Sequence, residues 1–462
     1  MKILALSLCL SCLISPAFAQ ENAAAPSTFD REKYCKVVAE EIIPLRLPNF
    51  DGAVEWKRTT GIQGMDRPKD MVLLADNGVV VLGESALFFR KSEAVAAGKP
   101  EGAQATQMAF LRVDRGGRIV TEKRIDVPGL KSVVAGAVLK DRIVALSQVA
   151  SPKGGDVVRI DFLDGGGEGK ASRILSDKKY RLIPVDVAAD SVNGQLVLAV
   201  QAVSRTNADD RFTMVIRVDA SGKEISRREY LPGIPTRLES LDLLAGGWLI
   251  GAGRIEMSGD SGADRSGGWI LKLTRQGDIV QQRPYPRGAQ ALIRRVVSTG
   301  DGDLIAVGDA IPAAGGGARA AWIMRLAPSG EPIWQKYITG HYSYSGIDVA
   351  VLPDGRVNVL MAGRPAGEGG REHARLVTLT RTGQMTGEEA YIEAANALPA
   401  KLLLRDGRRI VAGMAQTGFS NEGVSDAEHL ATYDFWIVGL TSLADYADPC
   451  GAIAAEKLEE PL

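Results

Sequence analysis

The feature that most restricts this chain is a pair of interleaved glycine series. Gly222, Gly277, Gly330 and Gly383 follow one another at steps of 55, 53 and 53 residues, and Gly194, Gly247, Gly302, Gly355 and Gly407 at steps of 53, 55, 53 and 52. Each glycine separates two short apolar runs, which is the sequence form of a β-hairpin turn. Residues 320–354 contain one full period: an apolar run ends at Gly330, a second holds Ile333, Trp334 and Tyr337, and a third leads into Pro353-Asp354-Gly355. Earlier repeats are looser, with Asp76-Asn77-Gly78 and Lys140-Asp141 as first turns and Gly117 and the run Gly165 to Gly167 as second turns.

Two turns per period mean four strands per repeat, and about seven such repeats predict an all-β chain folded as a seven-bladed β-propeller. The repeats begin near 66, 131, 182, 237, 291, 344 and 397 and leave no room for a second catalytic domain of ordinary size. Glu55 to Gly61 resembles Ile333 to Gly340, the last strand of a later repeat, while the final repeat stops at its third strand, Phe435 to Leu440. The strand around Trp56 is therefore expected to complete the final blade and close the ring.

The chain ends carry other signals. Lys2, the apolar run Ile3 to Ile14 and Ala17-Phe18-Ala19 read as a signal peptide over 1–19, too short for a membrane span, so the mature protein is expected to be periplasmic or secreted. Cys12 offers a lipoprotein signal as the alternative, against which Cys9 stands where Leu or Val belongs. Residues 20–53 form a leader with a clasp helix from about Ser27-Thr28 to Ile42, its stripe made of Tyr34, Val37, Val38 and Ile42. The propeller is expected over 54–444 and a tail with Cys450 over 445–462. With the signal peptide gone only Cys35 and Cys450 remain, one near each end, and in an oxidising compartment they are expected to pair.

The hairpins Val218 to Lys223 and Leu326 to Glu331 resemble those of bacterial exported β-propeller repeat proteins, the quinoprotein-like repeat group that includes the outer-membrane assembly propeller. The resemblance covers about Ala53 to Leu443. It implies a propeller, and in the quinone-binding members a Trp four residues after the hairpin glycine. Gly330 and Trp334 match that spacing, whereas Ser226 and Gln281 stand there after Gly222 and Gly277. No quinone, and no other cofactor, is expected.

Catalytic patterns are sparse. Gly259-Asp260-Ser261-Gly262 matches a trypsin-like nucleophile motif, yet the three histidines, His341, His373 and His429, all follow it, and that family needs one before it. Asp301-Gly302-Asp303 and Asp209-Asp210 leave calcium as the one ion to consider, although neither has the spacing of a calcium loop. Without Lys2, 54 basic residues face 56 acidic ones, so no nucleic-acid footprint is present.

Two groups of residues recur at the starts of the innermost strands. Asp70, Asp186, Asp242, Asp348, Arg295 and Lys401 are expected to line the central channel. Around them, Arg237, Arg254, Arg294, His341, Tyr344 and Arg364 are expected to form a rim that binds a partner, Arg and Tyr being residues that interfaces favour. The expected function is non-catalytic binding or scaffolding of an envelope protein or polymer through one loop-bearing face. The alternative is a periplasmic hydrolase, lyase or quinoprotein with its site at the channel mouth. The sequence does not speak to oligomeric state.

A link between Cys35 and Cys450 would close a loop of hundreds of residues, worth about 4–5 kcal/mol in the chain-entropy account. Thiol labelling of unreduced, denatured exported protein is expected to find no free thiol; two free thiols would overturn the pairing.

Overall fold

The computed structural model describes residues 35–45, 53–61, 64–88, 104–152, 154–257, 265–288, 290–311, 319–365, 371–391, 396–420 and 430–443. The chain divides into two compact units. One is Val37–Asp448; the other joins Met1–Lys36 to Pro449–Leu462, and of it only Cys35, which is buried, and Lys36 are described. Cys450 and Ser261 lie outside the described residues.

Among the described residues the chain is nearly all strand, with no α-helix. Two strands precede the repeats: β1 (Glu40–Leu45) and β2 (Val54–Thr60). The first unit is β3 (Gly64–Leu73), β4 (Val79–Phe88), β5 (Gln104–Val113) and β6 (Ile119–Ile125). The second is β7 (Leu130–Leu139), β8 (Arg142–Ala150), β9 (Asp156–Leu163) and β10 (Gly169–Leu175). The third is β11 (Tyr180–Asp190), β12 (Gln195–Ser204), β13 (Arg211–Asp219) and β14 (Glu224–Tyr230). The fourth is β15 (Thr236–Leu243), β16 (Leu249–Met257), β17 (Arg265–Leu273) and β18 (Ile279–Tyr285). The fifth is β19 (Ala291–Ser298), β20 (Leu304–Ala310), β21 (Ala320–Leu326) and β22 (Pro332–Gly340). The sixth is β23 (Tyr342–Val351), β24 (Val357–Pro365), β25 (His373–Leu379) and β26 (Met385–Tyr391). The seventh is β27 (Ala397–Arg405), β28 (Arg408–Ser420) and β29 (Leu430–Leu440). Within each unit neighbouring strands pair antiparallel in chain order, a pattern consistent with a propeller. The outer edge of β29 pairs antiparallel with β2, with Trp56 opposite Gly439 and Thr59 opposite Trp436.

The glycine series has a local cause. Gly277 and Gly302, one from each series, both have φ of +91°, a conformation that costs other residues a Cβ clash. The looser first turns of the first two units use Asn77 and Lys140 in the same region, with φ of 60° and 61°. The third-to-fourth-strand turns also dock on the preceding unit. A Cβ on Gly117 would run into the Trp56 ring, one on Gly167 would stand 3.0 Å from Phe110, and one on Gly383 would stand 3.0 Å from Trp334. Tyr230 and Tyr285 reach the same turns by donating their hydroxyls to the carbonyls of Gly277 and Gly330, each at 2.7 Å. The core accordingly consists of apolar clusters that join each unit to its neighbour, for example Ile250 and Ala252 against Ile293 and Trp322.

The expected clasp helix is corrected by the structure. Residues 27–34 lie outside the described ones, Val37 and Val38 are exposed rather than buried on a stripe, and Glu40–Leu45 is a strand. It adds to the outer edge of β22 in parallel, pairing Glu41 with Lys336, Ile43 with Ile338 and Leu45 with Gly340. The physical reasons are local and long-range together. Ile42 and Ile43 are β-branched, and Pro44 cannot donate inside a helix. Lys336, only 1% exposed, needs a carboxylate and finds Glu41 Oε2 at 2.6 Å. Leu45 then joins the cluster of Trp334, Ile338 and Tyr344.

Because Glu41 stands half in water, Glu41→Ala is expected to cost about 1–2 kcal/mol, below the figure for breaking a fully buried pair. In a Lys336→Met background the same change is expected to cost nothing measurable. A double-mutant cycle by chemical denaturation checks both; equal costs in the two backgrounds would remove Lys336 from the account of β1.

Candidate functional site

The seven inner strands β3, β7, β11, β15, β19, β23 and β27 each carry a bulge at the same place. The register shifts fall at Pro68/Asp70, Val133/Ala135, Pro184/Asp186, Leu238/Ser240, Ile293/Arg295, Gly346/Asp348 and Pro399/Lys401. A bulge inserts one residue and re-aims its neighbours. Here the seven re-aimed positions surround a cavity of about 210 Å³, and a second cavity of about 180 Å³ shares Asp70, Asp186, Arg295, Asp348 and Lys401 with it. Asp242 lines the second cavity only. All six residues read from the sequence as channel residues are thus brought together. The inserted residues Lys69, Glu239 and Arg294 also line the larger cavity, as does Ser240; the first two and Ser240 were not legible, because a bulge is invisible to a two-residue period.

Three of the carboxylates have the same arrangement. Asp70 accepts from its neighbour's amide, Met71 N at 2.8 Å, and from Gly136 N of the next unit at 2.9 Å. Asp186 accepts from Val187 N and Leu241 N, both at 2.8 Å, and Asp348 from Val349 N and Leu402 N, both at 2.9 Å. Each aspartate therefore ties one inner strand to the next. Lys401 Nζ lies 3.0 Å from Asp70, and Arg295 reaches Asp242 at 2.7 Å, Asp186 at 3.5 Å and Asp348 at 3.7 Å.

This girdle holds four carboxylates against two cations. Burial pushes the Asp186 carboxyl up to about 6; Arg295 opposes the rise and the Asp70 carboxylate adds to it. For Arg295 burial works against the charge, but Asp242, Asp348 and Asp186 outweigh it and hold the guanidinium above its usual range. Burial and Arg295 also oppose the Lys401 charge, and Asp70 and Asp348 outweigh them. Chemically the girdle is a set of inter-strand ties with Arg295 at its centre.

The expected rim is less uniform. Arg237 pairs with Glu239 at 3.3 Å, Arg294 with Asp309 at 2.8 Å and Arg364 with Glu372 at 3.2 Å. Arg254 is half-buried directly opposite Arg237, and His341 is exposed. Tyr344 is corrected: it is fully buried, its hydroxyl accepts from Arg375, and its ring packs near His373, so it is no surface anchor. The tyrosine had the right position for a rim but the inward parity of β23, toward the fifth unit. His373 is buried too, and burial holds its imidazole below the usual range. Asp301 is engaged by Arg325 at 2.8 Å and by Arg381, and no group of three or more His, Cys, Asp or Glu able to hold a metal occurs among the described residues.

Removing the Asp348 carboxylate leaves two buried amides without an acceptor, at about 1–3 kcal/mol each. Asp348→Ala is expected to lower stability by ~2–4 kcal/mol in chemical denaturation, and a change below ~0.5 kcal/mol would refute the tie. Asp186 has a pH signature. Its folded value of about 6 lies above the ordinary 3.8, so the folded state holds the extra proton and its contribution is full below about pH 4, then lost as pH rises to about 6. Melting temperature measured from pH 4 to 7 is expected to fall more for the native chain than for Asp186→Asn; parallel profiles would contradict this.

No protein-family model matches the chain, and no curated protein sequence matches it. Solved structures with a similar fold-level arrangement include a puromycin hydrolase, 15% identical with a TM-score of 0.45, covering 76% of this chain and 50% of its own. A periplasmic gluconolactonase of Pseudomonas aeruginosa is 13% identical with a TM-score of 0.41, over 71% of this chain and 86% of its own. A glucose dehydrogenase is 11% identical with a TM-score of 0.36, over 66% and 96%. The chain spans half the length of the puromycin hydrolase, and these likenesses at low identity are of fold alone, with no family assigned.

Proposed function

We propose that this chain is an exported, non-catalytic binding protein: a seven-bladed propeller in which β2 completes the last blade, Cys35 and Cys450 link the ends, and one face engages an envelope protein or polymer. The observation that carries the reading is the state of the girdle. Asp70, Asp186 and Asp348 have both carboxylate oxygens on backbone amides, so these acids support the ring rather than standing ready for proton transfer. Antiparallel alternation also puts the connections between second and third strands on the same side as the starts of the inner strands. Arg237, Arg254, Arg294, His341 and Arg364 belong to that side, and loops on a rigid scaffold are where binding concentrates.

A second reading, catalysis at the channel mouth, has one observation in its favour: a carboxyl at about 6, Asp186, in an open polar cavity. Stoichiometric metal in the purified protein, calcium above all, would favour it.

The test of the first reading is a paired measurement on His341→Ala, Arg364→Ala and the double variant. Stability is expected to change by no more than about 0.5 kcal/mol, as for exposed positions. Capture of crosslinked partners from intact envelopes is expected to drop at least tenfold in the double variant, since such anchors can each carry about 2 kcal/mol. Undiminished capture would place the interface elsewhere.

A further inference from the structure

We propose that the seam between the third and fourth units, at the end of the strands that carries the hairpin turns, holds one small monovalent anion between Arg217 and Arg275. The site lies away from the face assigned to partner binding and does not depend on that reading.

The repeat supplies its own comparison. Arg112, Arg217 and Arg325 each stand five residues before a hairpin glycine, Gly117, Gly222 and Gly330, near the end of a third strand. Arg112 donates to the Gly165 carbonyl in the next unit's hairpin at 2.9 Å and to Asp76 of its own unit. Arg325 donates to the corresponding carbonyl, that of Arg381, at 3.0 Å, and to Asp301 and Asp303 at 2.8 and 2.7 Å. Arg217 is the exception. The residue is only 7% exposed, yet among the described residues its guanidinium makes no hydrogen bond or ion pair, and its Nη2 is buried without a partner.

Strand parity turns Arg217 toward the fourth unit. Val215, two residues before it, and Val197, directly opposite it on β12, both pack with Leu241, Leu249 and Trp269. From the fourth unit Arg275 enters the same seam, in the hairpin whose Gly277 carbonyl accepts from Tyr230 of the third. Its Nε lies 3.6 Å from Asp190 Oδ2 and is buried without a hydrogen-bond partner.

The seam between the fifth and sixth units has the same two arginines, Arg325 and Arg381, and balances them with Asp301 and Asp303. Counted from the turn glycines Gly302 and Gly194, the third unit has Asn193 and Gln195 in those two places. Asp190 is then the one carboxylate for two guanidinium groups among the described residues. Asp219 is turned into its own hairpin by the amides of Ser221 and Lys223, and Asp278 is paired with Arg228. Burial pushes the Arg217 guanidinium below its usual range, and Asp190 opposes the fall only in part. A buried guanidinium without an acceptor is costly, and the deficit is a single negative charge. Carboxylates fill the sister seam as charge-assisted acceptors. Arg217 is so nearly covered that the ion standing in for one must be small, of the size of chloride.

The experiment follows the melting temperature of the full exported chain as sodium chloride replaces sodium gluconate at constant ionic strength, gluconate being too large to enter the seam. The native chain is expected to melt about 1–2 °C higher in chloride. Gln195→Asp, which supplies the carboxylate that Asp303 offers Arg325, is expected to melt higher than the native chain in gluconate and to gain nothing from chloride. Arg217→Met is expected to lose the chloride response as well. It is expected to melt no lower than the native chain in gluconate, because the unpaired buried charge is gone; this separates a lost ion from lost folding. Crystals grown in sodium bromide are expected to show an anomalous peak between Arg217 and Arg275. A native chain indifferent to the exchange, a chloride response retained in either variant, or bromide crystals without that peak would each overturn the proposal.

Discussion

The structure depends on ties between one four-strand unit and the next. A single four-strand sheet has two faces to bury and cannot do so alone, so each unit needs its neighbour. Two devices set the spacing. At the periphery an aromatic side chain meets the backbone of the next unit's hairpin, as Trp334 meets Gly383 and Tyr285 meets the Gly330 carbonyl. At the centre a carboxylate crosses from one inner strand to an amide of the next, as Asp348 does to Leu402 N. The hairpin glycine serves both the turn and the docking, since a Cβ would strain the first and obstruct the second. One residue type thereby carries two constraints, and the period becomes visible in the sequence.

The N-terminal segment shows how open edges are handled. Outer strands such as β10, Gly169–Leu175, are almost wholly exposed, and β14 carries Glu224, Arg227, Arg228 and Glu229, charges that discourage further pairing. β22 is different: its middle five residues are buried, with Lys336 among them. Such an edge requires a partner strand, and β1 supplies it together with the carboxylate of Glu41. The next strand along the chain, β2, pairs with β29 in another unit. One short stretch thus serves two edges, one in the fifth unit and one in the seventh.

Charge is distributed unevenly although the whole chain is nearly neutral. The girdle has four carboxylates for two cations, while Arg294 and Arg319, on the fifth unit, share the single carboxylate of Asp309. The first excess lies among groups that hold strands together, where burial raises the Asp186 carboxyl to about 6. The second faces solvent.

The sequence by itself determined the four-strand repeat, because a turn with positive φ is a local demand that glycine answers wherever it recurs. It also pointed to Asp70, Asp186, Arg295, Asp348 and Lys401, since equivalent places in a repeat come to equivalent places in space. It could not decide the fate of residues 40–45: the spacing of Val37, Val38 and Ile42 fits a helix as well as a strand, and the choice lay with the unfilled edge of β22, some 295 residues away. Nor could it show that Tyr344 points inward or that Arg237 faces Arg254, because parity after a bulge and register between strands are set only when the sheets assemble. Tertiary structure decided those points through backbone pairing and burial, which link residues that no local pattern connects.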